Sequence, residues 1–266
     1  MDKKNLLLVL GNSIGVIATI IVNVLAVILP LNGKSTSELS DAIPNLFVPA
    51  GITFSIWTII YLFLLMFMIY QIISLNKKRQ FNFDYIEKIG GWFILASLAN
   101  ILWIFLWHYQ YVTYSLLTML LLFISLLIIY LRLNIGLSKV SFKEKIMVHV
   151  TISIYLGWIT VATIANVTAV LVNLNVGELF LGQVAWTIIV IIVAMIITLL
   201  MLVTRTDIAY SLVIIWALLG IAIKRFNTDP IYGVQTNIAT TAVIALIIIA
   251  VVMIVKTIPR LKNKTI

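Results

Sequence analysis

Apolar residues along the chain gather into long runs separated by short polar stretches. The runs lie at about 6–30, 52–75, 89–107, 112–134, 146–173, 181–203, 208–223 and 235–256. A bilayer core of roughly 30 Å needs about 20 such residues in a helix. The pattern therefore predicts an all-α polytopic transmembrane helix bundle of eight helices. Between the third and fourth runs stand only His108 to Tyr111, which predicts a tight antiparallel hairpin. Composition agrees, with 63% hydrophobic and 10% charged residues and a mean hydropathy of +1.17. Soluble domains carry roughly 45–50% and 25%. Lys3 and Lys4 precede the first run as in a signal peptide. That run is too long for such a segment and lacks a small-x-small cleavage site, so it reads as a retained first helix.

Charge sets the expected orientation. Lys3, Lys4, Lys77, Lys78, Arg79, Lys88, Arg132, Lys139, Lys143, Lys145, Arg205, Lys256, Arg260, Lys262 and Lys264 fall on one side, and only Lys34, Lys224 and Arg225 on the other. The positive-inside rule then places both termini in the cytoplasm, in what reads as a prokaryotic plasma membrane. The weak point is Lys224–Arg225, which a re-entrant seventh and eighth pair would return to the inner side. A net charge of +9 in a soluble protein would suggest nucleic acid, but here the positive residues sit in loops between apolar runs. No charged residue sits in the middle of a run, which argues against an ion-coupled pump. Cysteine is absent and only His108 and His149 are histidines, so neither thiolate chemistry nor a histidine-rich metal centre is expected. Residues 31–48 form the longest external segment, either a lid over the bundle's mouth or a plain connector.

Tryptophan and asparagine favour the first five runs, with Trp57, Trp92, Trp103, Trp107 and Trp158 there. The last three runs are rich in Ile, Val and Ala and hold Trp186 and Trp216. This contrast divides the chain into a five-helix core, 1–173, and a three-helix extension, 174–266.

Candidate chemistry concentrates in Val48–Tyr61, VPAGITFSIWTIIY. Pro49 suits the first turn of a helix, where its missing N–H costs nothing. Gly51 leaves room for a backbone or ligand. Thr53, Trp57 and Tyr61 recur every four residues, which stacks them on one helical face. In the third run Asn100, Trp103 and Trp107 form a stripe, and in the fifth Tyr155, Trp158, Ala162 and Asn166 form another. Amides in hydrocarbon need partners, so Asn100 and Asn166 should face the bundle interior and bring the neighbouring tryptophans with them. A planar apolar molecule fits such a site, stacked on indole faces and oriented by N–H and amide groups. The competing reading is structural, with Trp and Tyr at membrane interfaces and Asn tying helices together. Trp107, beside His108, reads as an interface anchor. His149 reads as an interfacial residue, and Gly90–Gly91 as a point of close helix packing.

These three stretches resemble the TspO/MBR family, the tryptophan-rich sensory or translocator proteins, in the family's own order. Pro49, Gly51, Phe54, Trp57 and Tyr61 match its P-P-G-W-x-F-G-x-x-W-x-x-L-Y signature, and Asn100 and Trp103 match its N-x-x-W. Tyr155, Trp158, Ala162 and Asn166 match its Y-x-x-W-x-x-x-A-x-x-L-N. Ala50, Ile52, Ser55, Phe105 and Ala165 depart from the pattern. The resemblance covers roughly residues 6–173 and marks the chain as a longer, divergent member. It implies a five-helix bundle whose ligand pocket lies under the loop between the first two helices. Trp57 and Trp158 would line that pocket, Asn100 and Tyr155 would lie nearby, and Pro49 and Gly51 would shape its rim. Members of the family bind porphyrins, other tetrapyrroles or sterols. They are discussed as sensors, regulators or transporters, and light-dependent porphyrin breakdown has been proposed for some.

The function expected is a membrane protein binding a planar, tetrapyrrole-like ligand as sensor, regulator or translocator. Its expected site comprises Trp57, Trp158, Asn100, Tyr155, Tyr61, Ala162, Asn166, Trp103, Pro49 and Gly51. The alternatives are a transporter of a small uncharged or amphipathic solute and an interaction subunit of a membrane complex. No enzymatic activity and no required cofactor are expected, with porphyrin or heme as the ligand. The expected partners are the bilayer, that hydrophobic small molecule and, as one option, a second copy of the chain in a homodimer.

Overall fold

A computed structural model describes residues 3–29, 31–75, 84–174, 176, 182–228 and 233–262. Among these residues the chain is helical with no strand. The long helices are α1 (Lys3–Ile28), α3 (Ile56–Ser74), α5 (Trp92–His108), α6 (Val112–Arg132), α7 (Phe142–Asn173), α8 (Gly182–Arg205), α9 (Ile208–Phe226) and α10 (Thr236–Lys262). Two short ones intervene, α2 (Thr36–Ala42) and α4 (Asp84–Ile89). Seven helices have the length and composition to cross a membrane, and the eighth expected span, α5, has only 17 residues. The expected start at residue 89 fails because the chain breaks there. Gly90 has φ +54° and donates its N–H to Ile86 O at 2.8 Å, ending α4. Gly90–Gly91 is thus a turn, since a Cβ at residue 91 would meet nothing within 4 Å. A left-handed residue at a helix end is the place for glycine.

Five helices close a ring. Around it α1 packs on α3 and α5, α5 on α6, α6 on α7, and α7 on α3. Buried polar groups tie these contacts inside an otherwise apolar bundle. Asn12 Nδ2 donates to Gln71 Oε1 at 2.8 Å, and Asn23 Nδ2 donates to Asn100 Oδ1 at 2.7 Å. Trp103 Nε1 donates to Asn166 Oδ1 at 3.0 Å, and Asn166 Nδ2 to Ser115 Oγ at 3.1 Å. Amides placed this way lose the cost of being bare in hydrocarbon and fix helix rotation. The predicted α5–α6 hairpin is present, turning through Gln110 at φ 61°.

The last three helices pack against this ring. α9 lies against α7, with Tyr210 Oη donating to Thr160 Oγ1 at 3.1 Å. Asp207 caps α9 by accepting from Tyr210 N at 3.1 Å, and it also accepts from Ser153 Oγ at 2.6 Å. α8 and α10 cover α9 from the outside. At the other end of α9, Lys224 forms an ion pair with Asp41, which follows α1 in the first long loop. Residues 224 and 41 therefore share one end of the bundle. His149 lies near the start of α7. It is 5% exposed, within a wide π turn at Lys145–Val150 in α7.

Candidate ligand pocket

The segment after α1 folds over the ring's mouth. Ser35 opens α2 with a capping box, in which Glu38 N donates to Ser35 Oγ at 3.3 Å and Ser35 N donates to Glu38 Oε2 at 2.7 Å. The Ser35 backbone N–H holds the Glu38 carboxyl below the usual glutamate range. His108 pins the start of the loop from the end of α5. Its Nδ1 lies 3.0 Å from Leu31 O and its Nε2 3.0 Å from Thr36 Oγ1. A carbonyl only accepts, so Nδ1 donates to Leu31 O, while Nε2 and the Thr36 hydroxyl form the second hydrogen bond. Asn45 ties the next stretch to α7, donating to Thr168 Oγ1 at 2.7 Å while accepting from Phe47 N at 3.0 Å. The segment is a folded lid rather than a plain connector.

Beneath it lies a chamber lined by Thr36, Ser40, Pro49, Phe54, Trp57, Trp103, Trp107, Trp158, Val161, Ala162, Ala165 and Asn166. Trp57 meets Trp158 edge-on at 6.3 Å and Tyr155 at 6.2 Å, and it stacks on Tyr61 at 5.6 Å. Phe54 meets Trp158 at 5.8 Å, and Trp103 stacks on Trp107 at 5.8 Å. The chamber holds about 40 Å³. A groove of about 450 Å³ adjoins it between α1 and α3, lined by Asn23, Val27, Thr58 and Tyr61 among others, and sharing Thr36, Phe54 and Trp57 with the chamber. Ligand sites of small molecules span about 300–1,000 Å³, so the groove has the room and the chamber does not. Half-buried Trp57 stands between them. No charged side chain lines either space among the described residues.

Of the residues expected at the site, Trp57, Trp158, Trp103, Ala162, Asn166 and Pro49 line the chamber, and Tyr61 lines the groove. Asn100 and Tyr155 line neither space. They are buried at 0% and 2%, with Tyr155 against Trp57. Asn100 Nδ2, Tyr155 Oη and Trp158 Nε1 are buried without a hydrogen-bond partner. Gly51 is exposed, and a Cβ there would meet nothing within 4 Å, so it shapes no rim. Pro49 lies in extended chain ahead of a 3₁₀ segment, Gly51–Ser55, rather than in the first helical turn. The 3₁₀ segment also breaks the expected stripe. At three residues per turn it rotates Thr53 away from Trp57, and Thr53 packs on Gly220 of α9 instead.

Trp107 is the clearest correction toward the pocket. It is 7% exposed, lines the chamber and donates to Thr36 O at 3.5 Å, so it is not an interface anchor. Its position four residues after Trp103 was the available signal. Val161 and Ala165 extend the Trp158–Ala162 stripe in the same way. Thr36 and Ser40 were missed with α2 itself, although S-x-x-E at Ser35–Glu38 is a capping-box signature.

Folded lid, aromatic chamber and encircling apolar helices together define a multi-pass integral membrane protein built around a covered site. The chain belongs to the TSPO-like protein family, whose model matches residues 8–255. That match runs past residue 173 and takes in most of the last three helices. No curated protein and no solved structure matches the chain.

Proposed function

We propose that the protein binds a planar hydrophobic ligand of the tetrapyrrole class and acts as its sensor or translocator. The observation that carries this reading is Trp57, which lines both a roomy groove and a small aromatic chamber. Rotation of the indole and lifting of the lid would join the two spaces, and a flat molecule entering from the groove would stack between Trp57 and Tyr61 or against Trp158. Trp158 Nε1, buried at the chamber wall without a partner, then offers a donor to an acceptor at its edge. The site needs no cofactor of its own.

The reading includes both termini in the cytoplasm of a prokaryotic plasma membrane, as the distribution of Lys and Arg supports. It also leaves catalysis aside. Both ring nitrogens of His108 serve the lid.

Titration of the purified protein with protoporphyrin, followed by tryptophan fluorescence, tests the proposal. Saturable quenching in the parent and its loss in Trp57→Ala and Trp158→Ala are expected. Unchanged quenching in both variants overturns the pocket assignment. A translocator, as distinct from a sensor, also gives porphyrin flux across proteoliposomes containing the full chain.

A further inference from the structure

We infer that α9 is the fastening of the lid, so that access to the pocket is set by the last three helices. The inference rests on the ligand reading above only where it speaks of ligand exchange. The lid is held at three places, one of them Asn45 on Thr168 of α7. His108 holds its beginning, at Leu31 and Thr36. Its second half, from Asp41 to Thr53, is held by three residues of α9. Lys224 pairs with Asp41, Gly220 O accepts from Ala50 N at 3.0 Å, and Trp216 Nε1 donates to Thr53 O at 3.0 Å. These residues stand four apart on α9, one face of a helix. Gly220 is the close contact of the set, because a Cβ there would collide with the Thr53 side chain.

The fastened segment continues directly into the pocket. Phe54 follows Thr53 and lines both chamber and groove, and Trp57 is one turn further on. A ligand that pushes Phe54 outward therefore strains the Thr53 and Ala50 contacts with α9. By the same linkage, a shift of α9 that releases Thr53 loosens the chamber wall, since coupling between two sites is reciprocal. The opposite end of α9 is anchored by Asp207 to Ser153 of α7, and α8 and α10 enclose it. The three helices thus form one lever whose working end is the lid.

Because the chain has no cysteine, a single thiol reports on the lid. Ser40→Cys is nearly isosteric, and Ser40 is buried on the lid's own α2 at the chamber wall. A maleimide reagent modifies it only when the lid lifts. The strap variants are Lys224→Ala, Trp216→Phe and Gly220→Ala in that background, with Asp41→Lys combined with Lys224→Asp as the charge-swapped control. Lys224→Ala and Trp216→Phe each remove one modest interaction and should raise the labelling rate about two- to fivefold. Their combination should exceed about tenfold, and the charge swap should return the rate toward the parent. Protoporphyrin dissociation, read by porphyrin fluorescence, should quicken in parallel. Labelling rates equal to the parent in all strap variants overturn the inference even where porphyrin binds. Faster labelling with no saturable porphyrin binding in any form supports the strap and refutes the ligand reading alone.

Discussion

Trp57 meets Tyr61, Tyr155 and Trp158 within about 6.3 Å, and its ring is the partition of the site. Replacing it with alanine removes the stacking face and merges groove with chamber. The expected outcome is a loss of porphyrin affinity of about tenfold, from one aromatic contact and its buried area, while Trp57→Phe retains an intermediate affinity. Quenching titrations check both. Asn166 carries a different load, accepting from Trp103 Nε1 and donating to Ser115. Asn166→Leu leaves the indole N–H unpaired in an apolar bundle and should cost about 1–2 kcal/mol of stability. Thermal unfolding in detergent measures it. Trp57 was legible from the Val48–Tyr61 stretch that opens the second run, and Asn166 from its stripe on the fifth. Gly51 was misread because its motif position says nothing of what surrounds it, and in the fold it faces open space. Trp107 was misread because an aromatic near a helix end fits a membrane interface as well as a pocket wall.

At the scale of elements, α2 and the 3₁₀ turn before α3 separate what the sequence predicts from what the fold does. Long apolar runs announce spanning helices by length alone, and among the described residues seven of the eight runs have counterparts long and apolar enough to cross a membrane. A seven-residue lid helix has no such signature beyond its capping box. That box has a pH dependence. Its Ser35 contacts hold the Glu38 carboxyl below the usual glutamate value, so their contribution is complete above that value and lost as pH falls through the lowered one. A nitroxide on Ser37→Cys should therefore gain mobility as pH falls below the usual glutamate range. In a Glu38→Ala background, which removes the acceptor, the mobility should be high throughout. Electron paramagnetic resonance spectra across the range decide it. The α4–α5 break makes a further expectation. Gly90 sits at φ +54°, and Gly90→Ala should destabilise by about 1–2 kcal/mol through its left-handed backbone. Thermal unfolding in detergent reads this as well.

For the whole molecule, the composition change near residue 173 separates a Trp- and Asn-bearing ring from Ile- and Val-rich helices, yet contacts cross it at both ends of α9. Ser153 meets Asp207 at one end, and Asp41 meets Lys224 at the other. Such contacts carry no periodic signal, so the sequence showed three additional spans but not that they grip the lid. The family match over residues 8–255 likewise treats the two parts as continuous.

The most direct test of the account is the protoporphyrin titration of the full chain beside a Trp57→Ala, Trp158→Ala double variant. The account predicts saturable quenching that the double variant loses while remaining folded by thermal unfolding. Saturable quenching of equal affinity in both, or none in the parent, would contradict a ligand pocket built on these two rings.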